Sequence, residues 1–502
     1  MASVLWMADS PKWLLRESRH ATFGAVLGLG VSVLLAVRWY RRPKFEGFRT
    51  VPGGWLLGVL PQFGPGGRDM AEKLDEFSSA YGAEGVFEMY LARSRNVVCC
   101  SWDAISSVLA LRPFKVTKPG SMARAAEGTM VGVLFAEGDR WKRERKIMAP
   151  AFNAKNMESY SPAVALITER LLDALDNDYK AGVETNFSAL LPLYTADVLC
   201  NVAFGEDLRM LQTKNDKLIK EAHALIDSLM VRFASPVSYW RIPVVGRFLD
   251  SGFRAASTIE KSMVALMERT AGKSATLVEK MRRNMDGDQF THEELLNNLV
   301  LLFIAGSDTS SQALCWAFYH LSSKPDLQNE IADEIRNLPD SIDGVLSVAD
   351  LDSLKMVHAT WLETLRFSGP APFDVFENHE PIMLAGRKVP PLTEIWVNYR
   401  HVLKTSPEVM EKLGQDLDKF RPSRWLGPDG IIKHPPFDSL AFGHGARACL
   451  GRQLAEYEGR LVIAKVLQKF VLEPWTKPPL KEQLKFVLMP RDEVTISVKP
   501  RE

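Results

Sequence analysis

The sequence has 502 residues, of which 46% are hydrophobic and 25% charged, an ordinary globular composition that excludes a disordered chain. Its formal net charge of +1 gives no overall attraction to nucleic acid, and no concentrated basic face stands out. Five unevenly spaced cysteines do not form a disulfide framework, which indicates a reducing compartment and mostly buried free thiols. The length alone predicts several domains or one unusually large domain.

The N-terminal region has a basic, then an apolar, then a basic segment. Residues 1–20 precede an uncharged run at 21–37, and Trp39 and Tyr40 follow it beside several arginines. A run of ~17–25 apolar residues is long enough to cross a bilayer, and aromatic residues suit its interface. A signal peptide would need a small-residue cleavage site, and a core helix rarely adjoins basic residues. We predict a single-pass membrane anchor at residues 21–40, with the chain on its C-terminal side in the cytosol.

Residues 41–67 are rich in proline and glycine, neither of which continues a helix. This composition predicts a hinge between the anchor and a catalytic body at residues 68–502. The body shows long helical segments broken by short apolar pieces typical of strands, and it has no internal repeat.

A glycine-rich turn with one cysteine lies at residues 442–451 (FGHGARACLG). Its glycines permit positive φ angles and a close approach of the backbone to a flat ligand. Cys449 precedes a predicted helix whose N-terminus favours a thiolate, and Arg447 can bind an anionic group. A thiolate among N–H donors is an axial ligand for haem iron. A lone cysteine on such a turn would instead indicate a buried structural residue.

This segment resembles the cysteine-ligand loop of the cytochrome P450 family. The resemblance implies that Cys449 binds the iron of haem b and that Phe442, Gly443, Arg447 and Gly451 contact the haem. It also implies the family fold, one large mainly helical domain with a small β region, which replaces the estimate of several domains. The family uses O2 and electrons from NADPH delivered by a redox partner. Three further motifs are then expected upstream, in a fixed order.

The first expected motif lies on a long helix. Thr291 and Glu294 form a capping box, and the helix it starts is predicted to extend for roughly thirty residues, or ~45 Å. Small and polar residues interrupt the apolar middle of this helix at residues 305–310 (AGSDTS). A solvent-facing patch is the alternative, but the apolar residues on both sides argue against it.

The Thr309 hydroxyl is predicted to bond to the carbonyl of Ala305 and to open the helix there. The segment resembles the acid–alcohol motif of the family. The resemblance implies that Asp308 and Thr309 relay protons on the oxygen side of the haem and that Ala305 contacts the haem.

The second motif, E-x-x-R, lies at Glu363 and Arg366 near the end of another predicted helix. Residues three apart share a helix face and can form an ion pair, although such a pair is common by chance. The resemblance implies that this pair is buried and binds a third charged residue in a later loop. Arg424 is the candidate for that residue and Arg421 the alternative. The implied role is structural support of the cysteine loop.

The third motif, W-x-x-x-R, lies at Trp141 and Arg145 on an early predicted helix. The resemblance implies that both side chains reach haem propionates, whereas a solvated charge run is the alternative. The neighbouring Lys142, Arg143 and Lys146 form a basic face. The family uses such a face to bind an acidic electron donor, which implies NADPH–cytochrome P450 reductase and, as a second donor, cytochrome b5.

One position of the family pattern is not filled. After E-x-x-R the family commonly places a basic residue on a strand, where it binds a propionate. This chain has Phe376 and Glu377 there, and His379 is only a displaced candidate. One propionate contact is therefore missing from the expected set.

The substrate region is apolar. Residues 235–248 resemble the connection between the helices that roof the family's pocket; they either contact the bilayer or pack as an ordinary loop. Ile304, Phe373 and Val375 are expected to line the pocket, which suits a fatty acid, a sterol or a terpenoid-like molecule.

Three functions are open at this point. The first is an NADPH-dependent monooxygenase of the endoplasmic reticulum membrane. The second is a haem-thiolate isomerase or dehydratase that acts on lipid hydroperoxides without external electrons; such enzymes typically lack a threonine at the position of Thr309. The third is a non-catalytic haem sensor, which would not need the acid–alcohol pair.

Overall fold

A computed structural model gives the fold of the chain. It describes residues 47–502 with gaps at 93, 236–237, 271, 273–275, 284–289, 339–344 and 477–478. The expected N-terminal segment at residues 1–20 and the expected anchor at residues 21–40 lie outside the described residues, as does the first part of the expected hinge.

Helices dominate the described chain, as the sequence pattern predicts. In chain order they are α1 Met70–Tyr81, α2 Trp102–Ala110, α3 Gly120–Ala126, α4 Gly138–Met148, α5 Ala154–Lys180, α6 Phe187–Phe204, α7 Met210–Thr213, α8 Lys217–Ala234, α9 Val245–Leu249, α10 Ser251–Arg269, α11 Leu277–Arg283, α12 His292–Ser322, α13 Pro325–Arg336, α14 Val348–Ser353, α15 Lys355–Ser368, α16 Tyr399–Thr405, α17 Pro407–Leu413 and α18 Arg452–Lys469.

The strands are short and form small sheets. They are β1 Val86–Leu91, β2 Ser94–Cys99, β3 Val116–Thr117, β4 Thr185–Asn186, β5 Asp374–Asn378, β6 Ile382–Leu384, β7 Arg387–Val389, β8 Glu394–Val397, β9 Phe470–Pro474, β10 Glu482–Leu484, β11 Leu488–Pro490 and β12 Thr495–Pro500. The largest sheet has the order β1-β2-β8-β5-β3, in which β2 and β8 are parallel and the other pairs antiparallel. The others have the orders β4-β12-β9, β10-β11 and β6-β7.

Helix α12 crosses the main core and organises it. The capping box starts the helix as predicted, because Thr291 accepts from the Glu294 backbone N–H at 3.1 Å and Glu294 accepts from the Thr291 N–H at 2.9 Å. Its 31 residues extend about 46 Å at 1.5 Å per residue. Helices α6, α10, α15 and α18 all pack against it, so the motifs on α12, α15 and α18 meet in one region.

Helix α6 is apolar on all sides. Among the described residues it is the helix whose length and mean hydropathy of 1.4 would permit a membrane span, and 78% of it is buried inside the protein. Its extensive packing against α12 explains the composition, since a helix surrounded by protein needs no polar face.

The described part of the expected hinge belongs to the folded body. The Val51 N–H donates to the Glu88 carbonyl of β1 at 2.9 Å, and the Val59 N–H donates to the Tyr90 carbonyl at 2.8 Å. Val51, Val59 and Phe63 are buried. The prolines and glycines of this stretch form turns that return the chain to β1, and its apolar side chains join the core.

Candidate active site

The cysteine loop folds into a tight turn in front of α18. The Cys449 backbone N–H donates to the Phe442 carbonyl at 2.7 Å. This hydrogen bond closes a loop that contains residues 443–448. Gly443 has a φ of 75°, a conformation in which a side chain would be strained, and this explains the glycine that the sequence pattern requires. Gly451 is the residue that precedes the first turn of α18.

Opposing effects act on the pKa of the Cys449 thiol. Although Cys449 is exposed to solvent, the protein atoms that surround its thiol raise the thiol pKa above its ordinary value. The backbone N–H groups of Gly451 and Arg452 and the charge of Arg145 act in the opposite direction and stabilise the thiolate. The helix N-terminus therefore acts as the sequence suggests, but against a burial effect that the sequence does not reveal.

Arg447 and Trp141 come together on the same side of the loop. The Arg447 guanidinium lies 4.1 Å from the centre of the Trp141 ring, and its Nη1 donates to the Ala136 carbonyl at 2.8 Å. Its Nη2 forms an ion pair with Glu137. Burial lowers the pKa of Arg447 to about 10, and the neighbouring charge of Arg145 acts in the same direction.

Side-chain hydroxyls bond to backbone carbonyls in the polar segment of the oxygen helix. The Thr309 hydroxyl donates to the Ala305 carbonyl at 2.7 Å, and the Ser307 hydroxyl donates to the Phe303 carbonyl at 2.6 Å. The Thr195 hydroxyl of α6 donates to the Ser307 carbonyl at 2.9 Å. These side-chain hydroxyls share carbonyls that a regular helix uses internally, while the helix stays continuous over residues 292–322.

The half-buried residues of this segment share one face of α12. Ala305, Gly306 and Thr309 are less buried than their neighbours Ile304, Ser307 and Asp308, and their spacing of three and four residues is that of one helix face. Thr309 thus lies on the less buried face, where a bound molecule can contact it.

The comparison with known proteins decides the class of this site. The sequence matches the family model described as Cytochrome P450 over residues 49–498. The chain belongs to the cytochrome P450 family. It is 25% identical to the cytochrome P450 monooxygenase sphH of Aspergillus fumigatus, over 98% of this chain and 96% of that protein. It is also 25% identical to the mitochondrial 1,25-dihydroxyvitamin D(3) 24-hydroxylase of Rattus norvegicus, over 90% and 88%.

A plant relative extends this likeness. The protein LUTEIN DEFICIENT 5, chloroplastic, of Arabidopsis thaliana is 24% identical over 79% of this chain and 68% of its own length. The relatives are named for different compartments, so the likeness supports the enzyme class and does not select a compartment. The chain is a cytochrome P450 monooxygenase, and membership of the family implies a haem whose iron is bound by a cysteine thiolate.

The residues of this P450 fit a haem. Cys449 is the expected iron ligand, and the N–H donors and the cation around it stabilise its thiolate form. The Nε of Arg447 is buried and has no hydrogen-bond partner among the described residues, so this guanidinium retains a donor for an anionic group. With Trp141 and Arg145 on the same side, the loop holds the groups that would bind a propionate and the ring beside it.

The E-x-x-R motif of the P450 forms a buried network. Arg366 donates through Nε and Nη2 to the two carboxylate oxygens of Glu363, both at 2.8 Å. Arg424 donates from Nε to Glu363 at 3.0 Å, and the Trp425 indole N–H donates to it at 2.9 Å. Arg421, the alternative third residue, contributes its backbone N–H at 2.8 Å instead of its side chain. The structure thus brings Glu363, Arg366 and Arg424 together.

The expected substrate-lining residues of the P450 lie in two different clusters. Ile304 belongs to the main core with the other apolar residues of α12. Val375 and Phe373 pack in a second cluster, where the Phe373 ring lies 5.1 Å from that of Trp396. The structure does not bring the two sets into one cluster, and their role as a pocket lining stays a prediction.

The sequence analysis of this P450 missed a histidine beside the acid of the oxygen helix. His223 of α8 has its Nε2 atom 3.4 Å from Oδ1 of Asp308. The two side chains line a pocket of about 30 Å³ with Asp227, Lys485 and other residues. That volume holds one or two water molecules. The contact joins residues 85 positions apart, so no local motif could indicate it.

Proposed function

We propose that this P450 is a microsomal monooxygenase that inserts one oxygen atom into a lipophilic substrate, with electrons from an NADPH-dependent reductase. The substrate is of the fatty acid, sterol or terpenoid type. The protein is held at the endoplasmic reticulum membrane by a helix at residues 21–40, with its catalytic body on the cytosolic side.

The acid–alcohol pair on α12 is the observation that best supports this activity. The haem supplies the oxygen-activating chemistry. Thr309 offers a hydroxyl on the less buried face of the helix, and the Asp308 carboxylate next to it is buried at 9% exposure. An acid beside an alcohol can pass protons inward from solvent. Isomerases and sensors need no such delivery, so the pair favours oxygen activation.

The reductase is expected to bind near helix α4. Lys142 and Lys146 are exposed on this helix, as a docking face for an acidic partner requires. Arg143 is less exposed and pairs with Glu294 of the capping box, whereas Lys142 pairs with Asp139, an exposed neighbour on the same helix. We therefore assign the docking face to the two lysines and give Arg143 a structural role.

A lipophilic substrate agrees with an apolar surface between α8 and α10. Val244, Phe248 and Leu249 are exposed by 82%, 86% and 63%, and the exposed Arg247 precedes Phe248 in the chain. Exposed apolar groups next to a cation are typical of a membrane contact. A body that contacts the bilayer here would take its substrates from the lipid phase.

Turnover with purified reductase tests the activity. We expect oxygenated product from at least one lipid class that gives a substrate-binding spectrum, and this product should require both NADPH and reductase. Thr309→Ala should consume NADPH but yield much less product, whereas Thr309→Ser, which keeps the hydroxyl, should retain most of it. Product formation without an electron donor would overturn the proposal.

The location needs a separate experiment. Fractionation of cells that express the full chain should place it with endoplasmic reticulum markers, and it should stay with the membrane after alkaline carbonate extraction. Recovery with mitochondrial or plastid markers would leave the oxygenation intact but would replace the microsomal reductase by another donor.

A further inference from the structure

On strand β5 this chain has Phe376 in the region where the family carries a basic residue. Phe376 of β5 is fully buried, and the Arg112 guanidinium lies 4.1 Å from the centre of its ring. The Lys118 Nζ lies 5.3 Å from the same ring centre. Neither cation belongs to β5: Arg112 follows α2, and Lys118 follows β3. Two cations from another part of the chain thus lie close to the position where the basic strand residue is missing.

Arg112 has unused hydrogen-bonding capacity. Its side chain is 8% exposed, and its Nη1 lies 3.9 Å from Oδ2 of Asp374, which is too long for a hydrogen bond. Its Nε is buried without a hydrogen-bond partner among the described residues. A buried guanidinium donor that has no acceptor costs free energy, and an anionic acceptor would recover it.

Lys118 connects this region with the cysteine loop. Its ammonium group pairs with Asp374, and its backbone N–H donates to Glu137 at 2.8 Å. Glu137 also pairs with Arg447. Arg112 and Arg447 are close enough for each charge to act on the other. The cations near β5 and the cation of the cysteine loop therefore form one cluster.

The charges of this cluster do not balance within the protein. Three cations of the cluster, Arg112, Lys118 and Arg447, have Asp374 and Glu137 as their paired carboxylates among the described residues. A fourth cation, Arg145, acts on the Cys449 thiol, whose thiolate form would match its charge. One positive charge is left over in a largely buried place, where an unmatched charge is costly. A haem propionate carries one negative charge, so the excess has the sign and size of that group.

We propose that Arg112, supported by Lys118, binds a haem propionate in place of the basic strand residue that this chain lacks. Arg112 acts as the direct donor, and Asp374 holds Lys118 beside it. His379 does not fill this role, because its Nε2 is engaged with the Thr117 hydroxyl at 2.6 Å. The inference rests on haem binding by the family fold and is independent of the proposed substrate and reductase.

Haem transfer from the purified holoprotein to excess apomyoglobin tests the proposal. Loss of one charge-assisted hydrogen bond corresponds to about a tenfold change in an equilibrium or rate. We expect Arg112→Gln to release haem about tenfold faster than the wild type, Arg112→Lys to fall between them, and Arg170→Gln to match the wild type. Arg170 is the control, because it is an ion-paired arginine of comparable burial whose partner is Asp207.

A spectroscopic measurement separates propionate binding from general loosening of the fold. Resonance Raman spectra should show a shifted propionate bending mode in Arg112→Gln and an unshifted mode in Arg170→Gln. Unchanged release and an unchanged bending mode in Arg112→Gln would overturn the proposal. Faster release with an unchanged mode would also overturn it, since Arg112 would then support the fold alone. If either result came with normal turnover, the proposed monooxygenase function would stand.

Discussion

The Nε2 atom of His223 lies 3.4 Å from Oδ1 of Asp308, so helix α8 places an imidazole against the acid of the oxygen helix. The His223 side chain is 37% exposed, whereas that of Asp308 is 10% exposed. The pair therefore joins a group that solvent reaches to one that it hardly reaches. A proton that travels from solvent to Asp308 can therefore pass through His223 first.

We expect His223→Leu to slow product formation and to increase the NADPH consumed per product. The loss should be roughly three- to tenfold, which is less than the ~10²-fold expected for removal of a general acid itself, as in Asp308→Asn. The solvent isotope effect on product formation should increase in His223→Leu, because proton entry becomes slower. Rates in H2O and D2O with reductase measure both quantities.

Lys485→Met is the matched control for this experiment. Lys485 lines the same pocket but pairs with Asp227 at 3.7 Å instead of Asp308. Its replacement should leave the isotope effect at the wild-type value. An equal change in both variants would mean that the shape of the pocket matters and that His223 has no separate part in proton entry.

Glu363→Gln should strongly destabilise the protein. Glu363 and Arg424 have fully buried side chains, and that of Arg366 is 1% exposed, so the amide would leave two buried guanidinium groups without their shared carboxylate. Removal of one partner from such a network costs about 3–5 kcal/mol. Urea unfolding followed by far-ultraviolet circular dichroism measures the loss. Glu473→Gln, which breaks an exposed pair with Lys499, should unfold like the wild type.

The sequence predicts those parts of the site that are set by short spacings. Thr309 and Ala305 are four residues apart on one helix, and Glu363 and Arg366 are three apart, so helix geometry alone brings each pair together. The capping box at Thr291 is equally local. For the same reason the start of α12 and the hydrogen bond from Thr309 to Ala305 were expected where the structure has them.

Other features depend on contacts between distant segments. Arg112 lies over Phe376 although 264 residues separate them, and His223 reaches Asp308 across 85 residues. No periodicity or motif indicates such contacts before the fold is known. The Pro- and Gly-rich stretch is a related case, because composition indicates turns but does not reveal that Val51 and Val59 bond to β1. The raised pKa of the Cys449 thiol likewise depends on burial by other segments.

Glu458 of α18 should make stability depend on pH. Burial raises the pKa of its carboxyl to about 8, while a hydrogen bond with Ser310 acts in the opposite direction. Between the ordinary pKa of about 4.5 and that value, the folded protein keeps a proton that the unfolded chain has lost. The stabilisation of the folded protein by this proton is therefore complete below about pH 4.5. It is lost as pH rises, by at most ~1.4 kcal/mol for each pH unit.

Glu458→Gln removes this titration. We expect the variant to gain stability relative to the wild type as pH rises from about 5 to about 8, with the largest difference at the upper end. The free energy of unfolding of both proteins, measured across this range, gives the difference directly. Parallel profiles for the two proteins would show that Glu458 does not hold its proton in the folded state.

The apolar surface between α8 and α10 should be protected by a bilayer. Val244 and Phe248 are exposed by 82% and 86%, and Arg247 between them is an exposed site for trypsin. Full burial of one such apolar side chain is worth ~1.5–3 kcal/mol, so two of them favour the membrane-bound position by well over tenfold. Vesicles should slow cleavage after Arg247 in the wild type, and Val244→Ser with Phe248→Ser should abolish most of that protection. Ile431→Ser, at a residue exposed by 59% elsewhere, should keep it, and equal cleavage of the wild type with and without vesicles would contradict a membrane contact here.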